Sequence, residues 1–354
     1  MTAAANSQFQ SNQTTKQSDN QAINIYPIKT LKRLSIIAIV LSSLAIAGEV
    51  FIFATQKEDS EAVQQKAIMA NYRVYAPVIP DTMTFAGEQV PLEKYYVREA
   101  LDNELIINMY RQSSTLLYFK RANRYFPIIE PILKRNNIPD DMKYLCVIES
   151  GLTNATSPAK AQGFWQFIPS TGNKYGLTVN DEIDMRNDLE ASTEAACKYL
   201  RSLYNRFHSW SAAAAAYNCG ENGLARRFDA QGVKSYYDLR LNSETSRYVY
   251  RILAMKLIMQ HPQQFGYYLR HCDLYPTIPA HCVTLSGQNV DLYKFAKDNG
   301  TTYKMLRDMN PWIQTDNLKN KANKSYTVQL PIENGTLQKT LTKGHKNTRL
   351  ITEI

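Results

Sequence analysis

The sequence predicts a mainly α chain with an N-terminal membrane helix, a helical domain enclosing a cleft, and a small α+β module near the C-terminus. Three observations carry this. Apolar and small residues run from Leu34 to Ala54, broken only by Glu49, directly after Lys29, Lys32 and Arg33. From Tyr95 to about Phe265 apolar residues recur at helical spacing, and strand-like alternation is nearly absent. Past Pro276 and Pro279 the texture becomes two short helical patterns followed by one alternating segment.

The chain has 354 residues, enough for one substantial domain and one small one. A formal net charge of +9 fits an acidic partner or surface, or a solubilising excess. Without an Arg-rich arm, zinc-finger spacing or an RNA-binding aromatic signature, nucleic acid is not the expected partner. The five cysteines, Cys146, Cys197, Cys219, Cys272 and Cys282, contain no CxxC pair. The repeated pairs His271-Cys272 and His281-Cys282 offer four potential zinc ligands, but adjacent residues point apart, so no metal is expected. A disulfide between Cys272 and Cys282 is the better expectation in an exported chain. Buried thiols are the default for the other three.

Residues 1–33 are rich in Gln, Asn, Ser and Thr and predict a disordered cytoplasmic tail. Residues 34–54 match the roughly 20 residues a spanning helix needs, and the preceding cations place the N-terminus inside. A cleaved signal peptide ending near Ala45-Ile46-Ala47 competes, but the polar stretch before the apolar run is longer than a whole signal peptide. Either way the rest is exported. Residues 55–94, with Pro77, Pro80 and Pro91, read as a tether. In the helical domain, residues 95–275, Asp188 is placed to cap a helix from Leu189 to Phe207, and a second long helix runs from Glu244 to His261, before Pro262. Residues 276–331 hold short helices over Val290–Ala296 and Tyr303–Met309 and a strand over Tyr326–Leu330. Residues 332–354 form a polar tail.

The most informative local pattern is a short helix with Asp140 placed as cap and Gly151 as terminator. On it Met142, Leu145, Cys146 and Glu149 share one face, which puts a carboxylate on the apolar stripe. Burial and the negative end of the helix dipole both favour its protonated form. Such an acid can protonate a glycosidic oxygen. A buried structural Glu paired with Arg fits the helix geometry equally well.

The blocks around it decide between these. Glu149-Ser150-Gly151-Leu152, Ser157-Pro158, Ala161-Gln162-Gly163-Phe164-Trp165-Gln166-Phe167, Tyr175-Gly176-Leu177, Ala216-Tyr217-Asn218 and Glu244-Thr245-Ser246-Arg247-Tyr248-Val249 follow in order. Together they closely resemble the lytic transglycosylases related to goose-type lysozyme, nearest to the membrane-bound type D branch in its Bacteroides-type versions. The resemblance covers Tyr95 to Tyr275 and implies a lysozyme-like helical fold acting on peptidoglycan glycan strands, with no cofactor.

Residue by residue, it implies that Glu149 is the sole catalytic acid/base and that the hydroxyl of Tyr248 contacts its carboxylate. Ser150 helps place substrate. Gly163, Trp165 and Gln166 line the cleft, and Tyr217 and Asn218 form the opposite wall. Trp165 and Tyr217 also fit as plain core aromatics. No second carboxylate accompanies these blocks, whereas typical glycosidases use two. The family's substrate-assisted route, ending in a 1,6-anhydro-muramoyl product, is therefore expected. Asp184 and Asp188 match a stretch read as structural, and Met185 departs from an acidic residue usual there. Hydrolysis of the same bond by a muramidase, and a non-catalytic wall-binding protein, are the competing readings.

Phe295-Ala296, Leu306, Asn310-Pro311 and Leu330-Pro331 resemble a LysM sugar-binding module, while Gly287-Gln288-Asn289 departs from its Gly-Asp-Thr opening. Glycan binding and a structural appendage both remain open for this piece. The expected location is the cell envelope, with the catalytic domain in the periplasm and the N-terminal helix in the inner membrane. No protein partner is identified.

Overall fold

The computed structural model describes residues 30, 32, 33, 35–47, 74–332 and 350–352, and the chain divides into two units, Met1–Tyr75 and Ala76–Ile354. In the first, residues 35–47 form helix α1, with Ile36, Ile39, Leu41 and Leu44 exposed. Among the described residues no helix is long and apolar enough to cross a membrane. Residues 34 and 48–54 of the expected span lie outside those described, as does most of the expected tail.

In the second unit, packing begins before the helical periodicity does. Met83, Phe85, Val90 and Leu92 fall within the segment read as a tether, yet all four are buried in the main core. Strands β1 (Thr84–Phe85) and β2 (Glu88–Gln89) form a hairpin around Ala86 and Gly87, both at positive φ as a tight turn requires. The hairpin places Glu88 at the start of α7 (Trp210–Cys219). Its carboxylate accepts from Ser209 Oγ at 3.0 Å and Ser211 N at 3.1 Å, and also from Trp210 N. Those amides have no partner within their own helix, so the hairpin is part of the fold.

The helical body comprises α2 (Tyr95–Tyr110), α3 (Gln112–Arg135), α4 (Lys143–Ser150), α5 (Pro169–Lys174), α6 (Leu189–Phe207), α7, α8 (Glu221–Gln231) and α9 (Ser243–Gln260). Helix α9 packs against α2, α4 and α7 and buries Val249, Ile252, Leu253, Met255 and Ile258, more of its circumference than one stripe. Helix α7 contributes Ala212 to Ala216, all buried, small enough to admit α6 and α9 on either side. Asp188 caps α6 by accepting from Ala191 N at 2.7 Å. Asp140 does not cap α4. It opens a 3-10 turn, Asp140–Met142, and its carboxylate pairs with Lys143 at 2.8 Å.

The C-terminal module pairs β3 (Ala280–Leu285) with β6 (Tyr326–Pro331) and β4 (Val290–Asp291) with β5 (Asn317–Leu318), all antiparallel. Helix α10 (Leu292–Asp298) starts later than the periodicity suggests, because Val290 and Asp291 are strand residues and Asp291 caps the helix. Thr302 caps α11 (Tyr303–Met309). The module's core of Leu285, Leu292, Leu306, Trp312, Val328 and Leu330 also takes in Ile183 of the helical body. Around Ile183, Asp184 N donates to Trp312 O and Gln314 N to Glu182 O, both at 2.8 Å. The Glu182 carboxylate accepts from Lys319 N and Asn320 N at 3.2 Å.

The expected polar tail ends on the helical body. Ile351 is buried in the main core and its N donates to Leu269 O at 2.8 Å. Residues 333–349 lie outside those described. The expected disulfide is not formed: all five cysteines are free, with the Cys272 thiol beside Asp273 Oδ1 and Cys282 exposed on β3. Among the described residues no three His, Cys, Asp or Glu side chains gather to hold a metal.

Candidate active site

Helix α4 carries Glu149 in its last turn, fixed by buried Leu145, Cys146 and Val147. Gly151 ends the helix at φ +61, its N donating to Val147 O at 2.8 Å. A Cβ there would lie 2.7 Å from the Tyr118 ring, so close approach demands glycine as well as the left-handed turn.

Burial and three neighbouring groups set the acidity of Glu149. Burial raises its pKa, a hydrogen bond from Tyr248 and the charge of Arg251 lower it, and the charge of Glu244 raises it again. Burial wins, and the pKa is pushed up to about 7. The Tyr248 hydroxyl donates to Glu149 Oε1, joining α9 to α4 across 99 positions of sequence. Burial and the Glu149 charge hold that phenol well above its ordinary pKa, so it is a fixed donor. Arg251, one turn further along α9, donates to Ile148 O at 3.2 Å.

The segment between α4 and α5 is organised from below by Arg186. Its Nε and Nη2 reach the two Asp184 oxygens at 2.8 and 2.6 Å. Nη1 donates to Lys160 O and Phe167 O, and Nη2 also to Gln162 Oε1. All five guanidinium N–H groups are thereby used. Gly163, at φ +85, sits where a Cβ would be 1.9 Å from Arg186 O. Gln166 Nε2 donates to Ala155 O and Gly163 O, both at 2.8 Å, so its amide hydrogens hold the segment together. Trp165 is fully buried with Nε1 on Thr193 Oγ1 at 2.9 Å, and its ring face is covered by protein.

The end of α7 packs against this segment. Tyr217 donates its hydroxyl to Trp165 O at 2.7 Å, and its ring packs on Tyr199 with centroids 5.0 Å apart. Burial and the charge of Glu149 both suppress its ionisation. Asn218 bridges to the start of α9, donating to Glu244 Oε1 at 3.2 Å and accepting from Thr245 Oγ1 at 3.0 Å. Ser150 lies at the end of α4, its hydroxyl on Cys146 O at 3.3 Å.

Glu149, Tyr248 and the charges of Arg251 and Glu244 thus act at one point, and Tyr217 feels the same carboxylate. Arg186, Arg251 and Glu244 escape sequence reasoning. Glu244 in particular is a second carboxylate within electrostatic reach of the first, and it stands in a block quoted above for other residues. An acid balanced near pH 7 can both give and retake a proton at neutral pH.

Residues 126–239 match the family described as Transglycosylase SLT domain, and residues 281–334 the Soluble lytic transglycosylase C-terminal LysM-like domain. The chain therefore carries an SLT transglycosylase domain followed by a LysM-like C-terminal domain. It is similar to the membrane-bound lytic murein transglycosylase D of Escherichia coli (strain K12), with 30% identity over 247 residues. The alignment takes in 67% of this chain and 53% of that relative. The same protein from Escherichia coli O6:H1 (strain CFT073) matches equally. The chain spans about half the length of the curated relatives it matches.

Proposed function

We propose that this chain is a lytic transglycosylase that cleaves the β-1,4 bond between N-acetylmuramic acid and N-acetylglucosamine in peptidoglycan. One observation carries the reading: within an SLT domain, a half-buried carboxylic acid with pKa about 7 accepts a hydrogen bond from a buried tyrosine. Protonated Glu149 donates to the glycosidic oxygen, the C1–O bond breaks, and the N-acetylglucosamine strand leaves with that proton. The neighbouring 2-acetamido oxygen stabilises the positive charge at C1. Glu149, now ionised, takes the proton of the C6 hydroxyl, and O6 bonds to C1. A 1,6-anhydro-muramoyl end results, no water is consumed, and Glu149 is again protonated. Ser150, Gly163, Gln166, Tyr217 and Asn218 form the walls that hold the strand, and Trp165 supports one of them from within.

Mass spectrometry of digested murein tests this, because the anhydro product and a hydrolysed end differ by one water. Glu244 favours the second reading, a muramidase, since its charge reaches Glu149 and an attacking water needs a second carboxylate as base. Products retaining that water, with loss of turnover in Glu244→Gln, would establish hydrolysis.

Tyr248→Phe keeps the ring and removes a donor that lowers the Glu149 pKa, which then rises above about 7. The alkaline limb of the pH–rate profile is expected to move upward. The maximum rate should fall roughly tenfold, because the base for ring closure is worse placed. An unchanged profile would reduce Tyr248 to a packing residue.

The cell envelope is the expected location, since the relatives are named as membrane-bound. Residues 34–54 would anchor the chain in the inner membrane with its catalytic domain in the periplasm. Protease added to spheroplasts should then leave a small membrane-held N-terminal fragment. A mature N-terminus near Gly48 would instead identify a cleaved signal.

A further inference from the structure

Helix α4 ends just past Glu149, and the last carbonyls of a helix need donors from elsewhere. Val147 O takes Gly151 N and Ser150 O takes Thr153 Oγ1, both at 2.8 Å. Two more carbonyls turn to arginines. Arg251 Nη2 from α9 donates to Ile148 O at 3.2 Å, and Arg121 Nη1 from α3 donates to Gly151 O at 2.9 Å. Among the described residues neither guanidinium pairs with a carboxylate, whereas Arg247, one turn before Arg251, is paired with Glu104.

The two cations are not equivalent. Tyr248 and Arg251 lie three positions apart on α9 and share the face packed on α4. One gives its hydroxyl to Glu149 Oε1, and the other holds the carbonyl of the residue before it. The Arg251 charge reaches the Glu149 carboxylate, while Arg121, bonded beyond it at Gly151, is not among the groups that set its acidity.

The other titratable and charged groups facing Glu149 are Glu244 from α9, Tyr217 from α7 and Cys146 on α4 itself. Burial holds Tyr217 and Cys146 well above their ordinary pKa, so both are neutral. From α3, Tyr118 packs beside Gly151 with Arg121. At the other end of α4, Glu130, Asp140 and Asp141 are paired with Lys143 and Lys256. Arg251 is therefore the cation opposing burial, the Glu244 charge and the negative end of the helix, all of which favour the neutral acid.

Giving one proton and taking another uses Glu149 in both forms, and the ionised form is the one its surroundings disfavour. A direct ion pair would favour that form too strongly, lowering a carboxyl pKa by about 1–3 units and withholding the proton needed first. A guanidinium bonded to the backbone supports the charge and leaves the carboxylate free to react.

We propose that Arg251 is a positioning residue for the reaction, clamping the carbonyl before Glu149 and lending the ionised carboxylate a cation that does not bind it, so that this group persists as a base between giving one proton and taking the next. The inference rests on the acid-then-base reading of Glu149.

Arg251→Met, Arg251→Lys and Arg121→Met in the full chain test it, through pH–rate profiles on sacculi and thermal melts. In Arg251→Met the alkaline limb should move upward by roughly half a pH unit or more, because the acid keeps its proton longer. Its kcat should fall about tenfold, with KM changed by less than about twofold. Arg251→Lys restores the charge and should return the limb most of the way. Arg121→Met removes a donor from the same helix end, so it should lower the melting temperature and leave the limb in place. The melts also give a readout free of activity. A higher Glu149 pKa makes ionisation in the folded state costlier, so Arg251→Met should lose more stability at pH 8 than at pH 4.5. In the Glu149→Gln background its cost should be the same at both.

An unmoved limb in Arg251→Met, or a stability cost with the same pH dependence in both backgrounds, overturns the proposal and leaves Arg251 a helix-end clamp like Arg121. A change in KM alone also overturns it, since the guanidinium would then touch the strand. The two readings fail separately. Anhydro ends with an unmoved limb remove only the role of Arg251, and hydrolysed ends with a moved limb remove only the transglycosylase.

Discussion

Replacing Glu149 with Gln is expected to lower cleavage by about three orders of magnitude or more and, at the same time, to stabilise the fold above neutral pH. The first effect follows because an amide fills the same volume but neither gives nor retakes a proton, and acid catalysis alone contributes roughly 10²- to 10⁴-fold. The second follows from linkage. Burial raises the Glu149 pKa from 4.5 to about 7, so the folded state holds this proton more tightly than the unfolded chain does. Wild-type protein suffers no penalty below pH 4.5 and loses stability as pH rises from there through about 7. The loss reaches about 3 kcal/mol once the carboxylate is fully ionised, at 1.36 kcal/mol for each unit of pKa. Glu149→Gln removes it. Thermal melts at pH 4.5 should nearly coincide, and at pH 8 the mutant should melt several degrees higher. Equal melting temperatures at pH 8, or a mutant of near-normal turnover, would each remove Glu149 from the role given to it here.

Such a trade of stability for a poised acid explains why one residue was visible in the sequence and its neighbours were not. A carboxylate on an apolar stripe conflicts with local hydrophobic patterning, so Glu149 stands out on its own helix. Helices α6 and α9 were legible for the complementary reason, since the Asp188 cap of the first, the Pro262 stop of the second and the apolar spacing of both agree with the fold. Glu88, Ile183, Arg186 and Arg251 leave no comparable trace. Each acts on groups distant in sequence, as when Glu88 meets the amides of residues 210 and 211. The burial of Phe85 and Leu92 leaves as little trace, because they are single apolar residues in polar surroundings that reach the core only through the fold. The blocks shared with the transglycosylases drew attention to the segment around Glu149. They did not reveal that Gly163 makes room for the Arg186 carbonyl, that Trp165 is covered, or that the Gln166 amide hydrogens bind backbone.

Arg186→Met is expected to be the most damaging change outside the reacting groups, because one side chain satisfies three parts of the fold. Its removal leaves the Asp184 carboxylate, 5% exposed, without its cation. It also leaves Lys160 O, Phe167 O and Gln162 Oε1 without their donor. Breaking a buried pair from one side costs about 3–5 kcal/mol, a large part of the roughly 5–15 kcal/mol that holds a domain folded. The damage should spread in two directions. The segment carrying Gly163, Trp165 and Gln166 loses the support beneath it, so activity should fall by about tenfold or more even at temperatures where the protein stays folded. Asp184 N also bonds Trp312 O, beside the buried Ile183, so docking of the C-terminal module should loosen and its protease sensitivity rise. The double variant Arg186→Met with Asp184→Asn separates charge from support, because no unpaired carboxylate remains. It should recover much of the melting temperature and little of the activity. If Arg186→Met alone melts within a degree or two of wild type, the pair contributes no more than its hydrophobic replacement would. If the double variant instead regains full activity, the cleft segment owes its position to Gln166 and Gly163 and not to the guanidinium beneath them.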